Sequence, residues 1–227
     1  MIENGICVWE ENATEAFDTW YEILSGQAKE GHIQDSRDGD VVGEVIGAIT
    51  VIEDPTRGIV QSKIRNMPMR YAVGELLWYL SGSNKVSDIS RYSNVWERLS
   101  DDGEHVNSAY GHRIFNQFGF DQWEHVKKLL TDDPLSRQAV IHIKEPNNQP
   151  TKDLPCTVSL QFFIREGKLH MITNMRSNDL WMGFPYDVFS FTALQVKMAM
   201  ELGVDVGTYT HIAGSLHLYK RNWKVID

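Results

Sequence analysis

Cys156 stands directly after a proline in Leu154-Pro155-Cys156-Thr157, at the head of an apolar stretch. The proline fixes the backbone there, and a thiol so held can face a cleft and act as a nucleophile once it loses its proton. Taken alone, the same cysteine reads as a small packed hydrophobe. Further along, Asn174-Met175-Arg176-Ser177-Asn178-Asp179 sets polar groups between an apolar run and Trp181-Met182-Gly183-Phe184-Pro185. Arginine beside serine offers a forked cation and a hydroxyl, the donors a phosphate monoester needs. The plain alternative is a solvated turn with a surface arginine. Glu75 is the one acid in the apolar segment 70–81.

Several elements must position these groups. Phe17, Trp20, Tyr21, Leu24 and Ala28 fall at helical spacing within 13–30, before Gly31. Val41 to Glu53 is β-branched and broken by Gly43 and Gly47, which predicts a kinked or bulged strand closed by Pro55. The spacing of Val73, Leu76, Leu77 and Leu80 predicts a buried helix over 70–81 with those residues on its inner face, ending at Ser81-Gly82-Ser83-Asn84. Asp121 can cap a helix through Trp123, Val126, Leu129 and Leu130 that ends at Asp132-Asp133-Pro134, and Gln138 to Lys144 reads as a strand. Strands over 156–164 and 168–175 meet at Arg165-Glu166-Gly167, a hairpin signal. Phe184 to Leu202 carries Val188, Phe191, Leu194, Met198 and Leu202 on one stripe before Gly203, and Val204 to Ile212 is a last strand. Helices interspersed with strands, without a repeated βα unit, predict an α+β fold. Residues 1–227 form a single domain on this reading, with no internal repeat or linker.

Composition narrows the class. With 42% hydrophobic and 23% charged residues, the 227-residue chain can bury a substantial core. It has no run of about 18 apolar residues, and Met1-Ile2-Glu3-Asn4 lacks the signature of a signal peptide; a soluble, cytoplasmic protein without a membrane partner is expected. Cys7 and Cys156 are too few for a disulfide framework or a structural zinc site, so no metal is expected. The net charge of -9 argues against polymeric nucleic acid as a partner. A phosphate recognised here must be met locally, by a few placed arginines.

Pro155-Cys156, Arg176-Ser177-Asn178-Asp179, Gly183-Phe184-Pro185-Tyr186-Asp187 and Gly214-Ser215-Leu216-His217-Leu218-Tyr219 stand in an order and approximate spacing that resemble thymidylate synthase. Gly74-Glu75-Leu76-Leu77-Trp78, Asn94-Val95-Trp96, Tyr110-Gly111 and Asp133-Pro134-Leu135-Ser136-Arg137 match the same family upstream, so the resemblance runs from roughly Phe17 to Tyr219. It implies a large mixed or antiparallel sheet packed with helices, one sheet face serving dimerisation. It further implies that the Cys156 thiolate adds to C6 of a pyrimidine nucleotide, so that C5 attacks the methylene of 5,10-methylenetetrahydrofolate. A free thiol with a pKa near about 8.5 is mostly protonated at neutral pH, and Arg176 is the obvious cation to help. The resemblance assigns the nucleotide phosphate to Arg176, Ser177 and Arg37, with Arg137 donated by the other subunit of a homodimer. His217 and Tyr219 would bind the sugar hydroxyl. Asp179, Trp96 and Gly183 would line the folate side, while Glu75 and Tyr110 would manage protons through ordered water.

Departures from the synthases point to a particular branch. Asp187 stands where they carry asparagine. Uracil presents an N3–H donor and an O4 acceptor; cytosine reverses both, which suits a carboxyl group that accepts from the amine and holds a proton for N3. With Thr157 and Met175 in place of histidine and glutamine, the sequence resembles the cytidylate hydroxymethylases of the superfamily, the deoxycytidylate enzymes above all. Those capture the C5 methylene with water and release tetrahydrofolate. The end at Asp227, soon after Tyr219, is expected to leave the site open to water. Gln138 replaces a second arginine beside Arg137, and Leu99 a second tryptophan. The expected reaction is 5-hydroxymethylation of deoxycytidylate, a step of phage DNA modification. The alternatives are cytidylate hydroxymethylation in specialised metabolism, thymidylate synthesis, and deoxyuridylate hydroxymethylation.

Overall fold

A computed structural model of the protein describes residues 3–29, 34–35, 40–146 and 150–223. In chain order these form β1 (Glu3–Asn4), β2 (Cys7–Glu10), α1 (Ala13–Lys29), β3 (Gln34–Asp35), β4 (Val41–Ile52), α2 (Met69–Ser81), α3 (Val86–Ile89), α4 (Val95–Leu99) and α5 (Tyr110–Phe115). There follow α6 (Gln122–Asp132), β5 (Val140–His142), β6 (Thr157–Arg165), β7 (Lys168–Met175), β8 (Asn178–Asp179), α7 (Phe184–Leu202) and β9 (Asp205–Tyr219). The fold is α+β. One mixed sheet runs β1-β4-β9-β7-β6-β5, with β2 and β3 added on β4 and β8 on β9.

Strand alternation decides what this sheet buries. Along β7, Leu169, Met171, Thr173 and Met175 are buried and His170, Ile172 and Asn174 only half so. The buried set meets α1 and α7, whose apolar stripes supply Phe17, Trp20, Tyr21 and Leu24, and Val188, Phe191, Leu194 and Met198. The expected hairpin forms: Glu166 and Gly167 take φ of 52° and 74°, the left-handed pair that matches the twist of a two-residue turn. The kink expected in β4 falls at Gly47, φ 71°, where the ladder to β9 skips from Ile46–Ser215 to Ala48–Ala213. Asp121 caps α6 by accepting the Glu124 N–H at 3.0 Å.

Three expectations need correction. The leucine stripe of α2 points outward: Val73 is 42%, Leu77 57% and Leu80 39% exposed, while Ala72, Glu75, Trp78 and Tyr79 are buried. Two large aromatics bury more area than two leucines, and they take the acid inside with them. The strand expected over 138–144 shrinks to β5, because Gln138 and Lys144 lie beyond its pairing with β6. The last strand, expected to stop at Ile212, continues to Tyr219 as β9, paired with β4 from Tyr209 to Tyr219. The stop at Gly31 lies outside the described residues. The short helices α3, α4 and α5 carry no periodic signal long enough to read.

Candidate active site

Cys156 sits one residue before β6, where pairing with β7 slips between Thr157 and Ser159. The slip and the preceding proline turn the chain at the nucleophile. Arg176, just past the end of β7, holds that turn: its Nε donates to the Pro155 carbonyl at 3.0 Å and its Nη2 to that of Leu154 at 2.8 Å. Its backbone N–H also donates to the Cys156 carbonyl at 2.8 Å. The residue is exposed and Ser177 beside it is half-buried. Arg176 does favour the thiolate, but burial outweighs it and pushes the Cys156 thiol up, with the Asp187 charge adding in the same direction.

The inner face of α2 delivers Glu75. Its Oε1 accepts from the Tyr71 hydroxyl at 2.7 Å. Burial pushes its carboxyl up to about 8, and the neighbouring Asp187 charge adds to this, which favours the protonated form toward neutral pH. Tyr110 opens α5, which approaches α2 so closely that a Cβ on Gly111 would lie 2.0 Å from the Tyr79 carbonyl oxygen. Its hydroxyl accepts from the Thr157 N–H at 3.3 Å, and its ring stacks on Phe191 at 6.0 Å between centroids. Burial raises Tyr110, and the charges of Asp187 and Cys156 raise it further.

Asp187 lies in the first turn of α7. Its Oδ2 accepts from Asn178 Nδ2 at 2.7 Å, and burial pushes its carboxyl up to about 7. Cys156, Glu75 and Tyr110 therefore all lie close enough to Asp187 for its charge to act on them. Parallel pairing of β8 on β9 sets Asp179 opposite His217. Asp179 Oδ1 accepts the N–H groups of Trp181 and Met182 at 2.7 and 3.0 Å, and among the described residues Oδ2 accepts no hydrogen bond. His217 and Tyr219 meet edge to face at 5.3 Å. Trp96, on α4, packs against Trp78 at 5.2 Å between ring centroids.

Two expected residues stand apart. Arg137 is exposed on the loop between α6 and β5, where its carbonyl accepts from Gln161 at 3.0 Å, and among the described residues its side chain makes no bond to the Cys156 group. Arg37 lies outside the described residues. Gly183 packs against the Asn178–Asp187 pair: a Cβ there would be 2.8 Å from Asn178 Nδ2 and 3.2 Å from Asp187 Oδ2. Sequence reasoning missed Tyr71, Asn178, Tyr209 and His211 as site residues. Tyr71 was findable, one helical turn before Glu75; the other three meet only through the sheet. Among the described residues no group of three or more His, Cys, Asp or Glu is placed to hold a metal ion.

A half-buried thiol, two carboxyl groups held protonatable near neutrality, and a tyrosine at the thiol's backbone define an enzyme built for covalent attack with proton transfer. The thymidylate synthase family profile matches residues 18–227. The deoxyuridylate hydroxymethyltransferase of Bacillus phage SP01 is 35% identical over 215 residues, 88% of this chain and 56% of that protein. The thymidylate synthases of Bacillus atrophaeus and of Bacillus subtilis strain 168 are each 29% identical over 167 residues, 70% of this chain and 74% and 60% of theirs. The chain thus spans little more than half the length of the phage relative. It belongs to the thymidylate synthase family. That family acts on nucleoside monophosphates with methylenetetrahydrofolate.

Proposed function

We propose that this enzyme hydroxymethylates C5 of deoxycytidylate. The observation that carries the reading is Asp187, half-buried in the first turn of α7, with its carboxyl raised to about 7 and Oδ2 accepting from Asn178. A neutral carboxyl donates to N3 of cytosine through one oxygen and accepts from the exocyclic amine through the other. With the proton on the oxygen that faces N3, uracil would meet two mismatched contacts, a discrimination of roughly ten- to a hundredfold.

The folate supplies a carbon at the oxidation level of formaldehyde; an aromatic face at Trp96 and the open Oδ2 of Asp179 suit its ring and polar edge. Cys156 loses its proton and its sulfur bonds to C6, which makes C5 nucleophilic toward that carbon. The C5 proton leaves, Glu75 and Tyr110 holding the exchanged protons. Water then adds to the exocyclic methylene, the C6–S bond breaks, and the balance is hydroxymethyl nucleotide plus tetrahydrofolate with no hydride consumed. Arg176 and Ser177 bind the phosphate, together with Arg37, and His217 and Tyr219 the sugar hydroxyl. Gly183 lets the base and folate sides approach.

The chain works as one catalytic domain, in a cytoplasmic homodimer formed through the outer sheet face of His170, Ile172 and Asn174, from which Arg137 reaches the other active site. A second reading, hydroxymethylation of deoxyuridylate, is favoured by the 35% identity to the phage enzyme of that name. Release of C5 tritium from labelled dCMP, CMP and dUMP, with absorbance followed for dihydrofolate, separates them. Release from dCMP without dihydrofolate is expected; release from dUMP alone sinks the cytosine reading, and dihydrofolate formation sinks hydroxymethylation.

A further inference from the structure

Behind Asp187 lies a chain of buried polar groups that the chemistry above does not use. Tyr209 and His211 are neighbours on the inner face of β9, with the hydroxyl 2.8 Å from His211 Nδ1. His211 Nε2 is 3.0 Å from Asn178 Oδ1, and Asn178 Nδ2 donates to Asp187 Oδ2 at 2.7 Å. His211 is 1% exposed and Tyr209 fully buried, and Phe184 closes over the imidazole edge to face at 5.4 Å. Gly183 leaves the room in which the last bond forms, since any side chain there would press on both its atoms. A histidine this deep with no carboxylate partner stays neutral; burial takes it down to about 3.

Neutrality gives the chain a direction. An amide whose nitrogen donates to Asp187 must accept at its oxygen, so His211 carries its proton on Nε2 and accepts from the Tyr209 hydroxyl on Nδ1. Every bond then donates toward Asp187. Its Oδ2 is kept as an acceptor, and a proton on this carboxyl belongs on Oδ1. That arrangement offers a donor and an acceptor side by side, and with Oδ1 toward N3 and Oδ2 toward the C4 substituent it matches cytosine and not uracil.

We propose that His211 is a positioning residue which, through Asn178, sets which oxygen of Asp187 carries the proton and thereby tells a cytosine base from a uracil base. The inference rests on the cytosine reading of Asp187 and deepens it. Competing tritium release from dCMP and dUMP tests it in the wild type, His211→Phe and His211→Gln. The phenylalanine variant is expected to lose at least about tenfold in the dCMP to dUMP ratio of kcat/KM. Glutamine, whose Nε2–H replaces the ring donor, is expected to restore most of it. Equal losses on both bases in His211→Phe, with a wild type that prefers dCMP, would overturn the relay alone; a wild type that uses only dUMP would overturn the base reading and the relay together. Nitrogen-15 NMR of the wild-type histidines near neutral pH, His211 assigned by its absence from His211→Gln, needs no destabilised variant. Protonation on Nε2 is expected, and protonation on Nδ1 or on both nitrogens would reverse the chain and refute the proposal.

Discussion

Asp101 and Asp102, on the loop after α4, and Glu75 and Asp187, in the cleft, are the same chemical group in two settings. The loop pair is exposed and surrounded by donors. Asp102 accepts the N–H groups of Glu104 and His105, both at 2.8 Å, and the His105 ring nitrogen at 2.8 Å. Asp101 accepts from the Thr151 hydroxyl at 2.7 Å and the Lys152 N–H at 3.0 Å. Hydrogen bonds hold both loop carboxyls below the usual range. In the cleft each carboxyl has a single side-chain donor, Tyr71 or Asn178, and burial lifts it toward neutrality. Donor number and access to water decide whether a carboxylate ties down a loop or trades protons.

That contrast can be broken or sharpened by experiment. The largest effect is expected at the thiol between the cleft carboxyls: Cys156→Ser should reduce C5 tritium release by about 10^4-fold or more, and residual release near the wild-type rate would remove Cys156 from the chemistry. Glu75→Gln should lower kcat by about 10^2- to 10^4-fold while leaving dCMP binding by calorimetry nearly intact. Asp187→Asn should turn the base preference toward dUMP by roughly ten- to a hundredfold, and an unchanged ratio of kcat/KM would mean that another residue reads the base.

Stability gives smaller and opposite signs. Glu75 binds its proton more tightly folded than unfolded, so it costs stability as pH rises from its ordinary range of 4.5 toward about 8. Glu75→Gln should therefore melt higher than wild type at pH 8 and differ little near pH 4; each pKa unit is worth about 1.4 kcal/mol. Asp102 is depressed instead, so its contribution is present above the ordinary aspartate range and lost on acidification below it. Asp102→Asn should lower the melting temperature slightly at pH 7, lose part of the acid-side slope, and leave tritium release unchanged. A drop in turnover with Asp102→Asn would join the two regions that burial separates.

Local signals carry far in this chain. The hairpin at Glu166-Gly167, the cap at Asp121, the kink at Gly47 and the stripe of α7 were legible because each depends on neighbours within a few residues. The ordered motifs picked out Cys156, Glu75, Tyr110 and Asp187, of which the first three feel the Asp187 charge in the fold, and Arg176, which bonds the turn before Cys156. The face of α2 was misread for the opposite reason: apolar spacing alone cannot weigh Trp78 and Tyr79 against Leu77 and Leu80, and packing partners far along the chain settled it. The partnership of Asn178, Tyr209 and His211 with Asp187 had no sequence signal either, because it joins β8, β9 and α7 across the sheet. The sequence by itself determined the chemical groups and the local elements that carry them. Which of those groups lose water, and so which carboxyls hold a proton at neutral pH, was decided only by tertiary structure, since desolvation is a property of everything packed around a group and not of its neighbours in the chain.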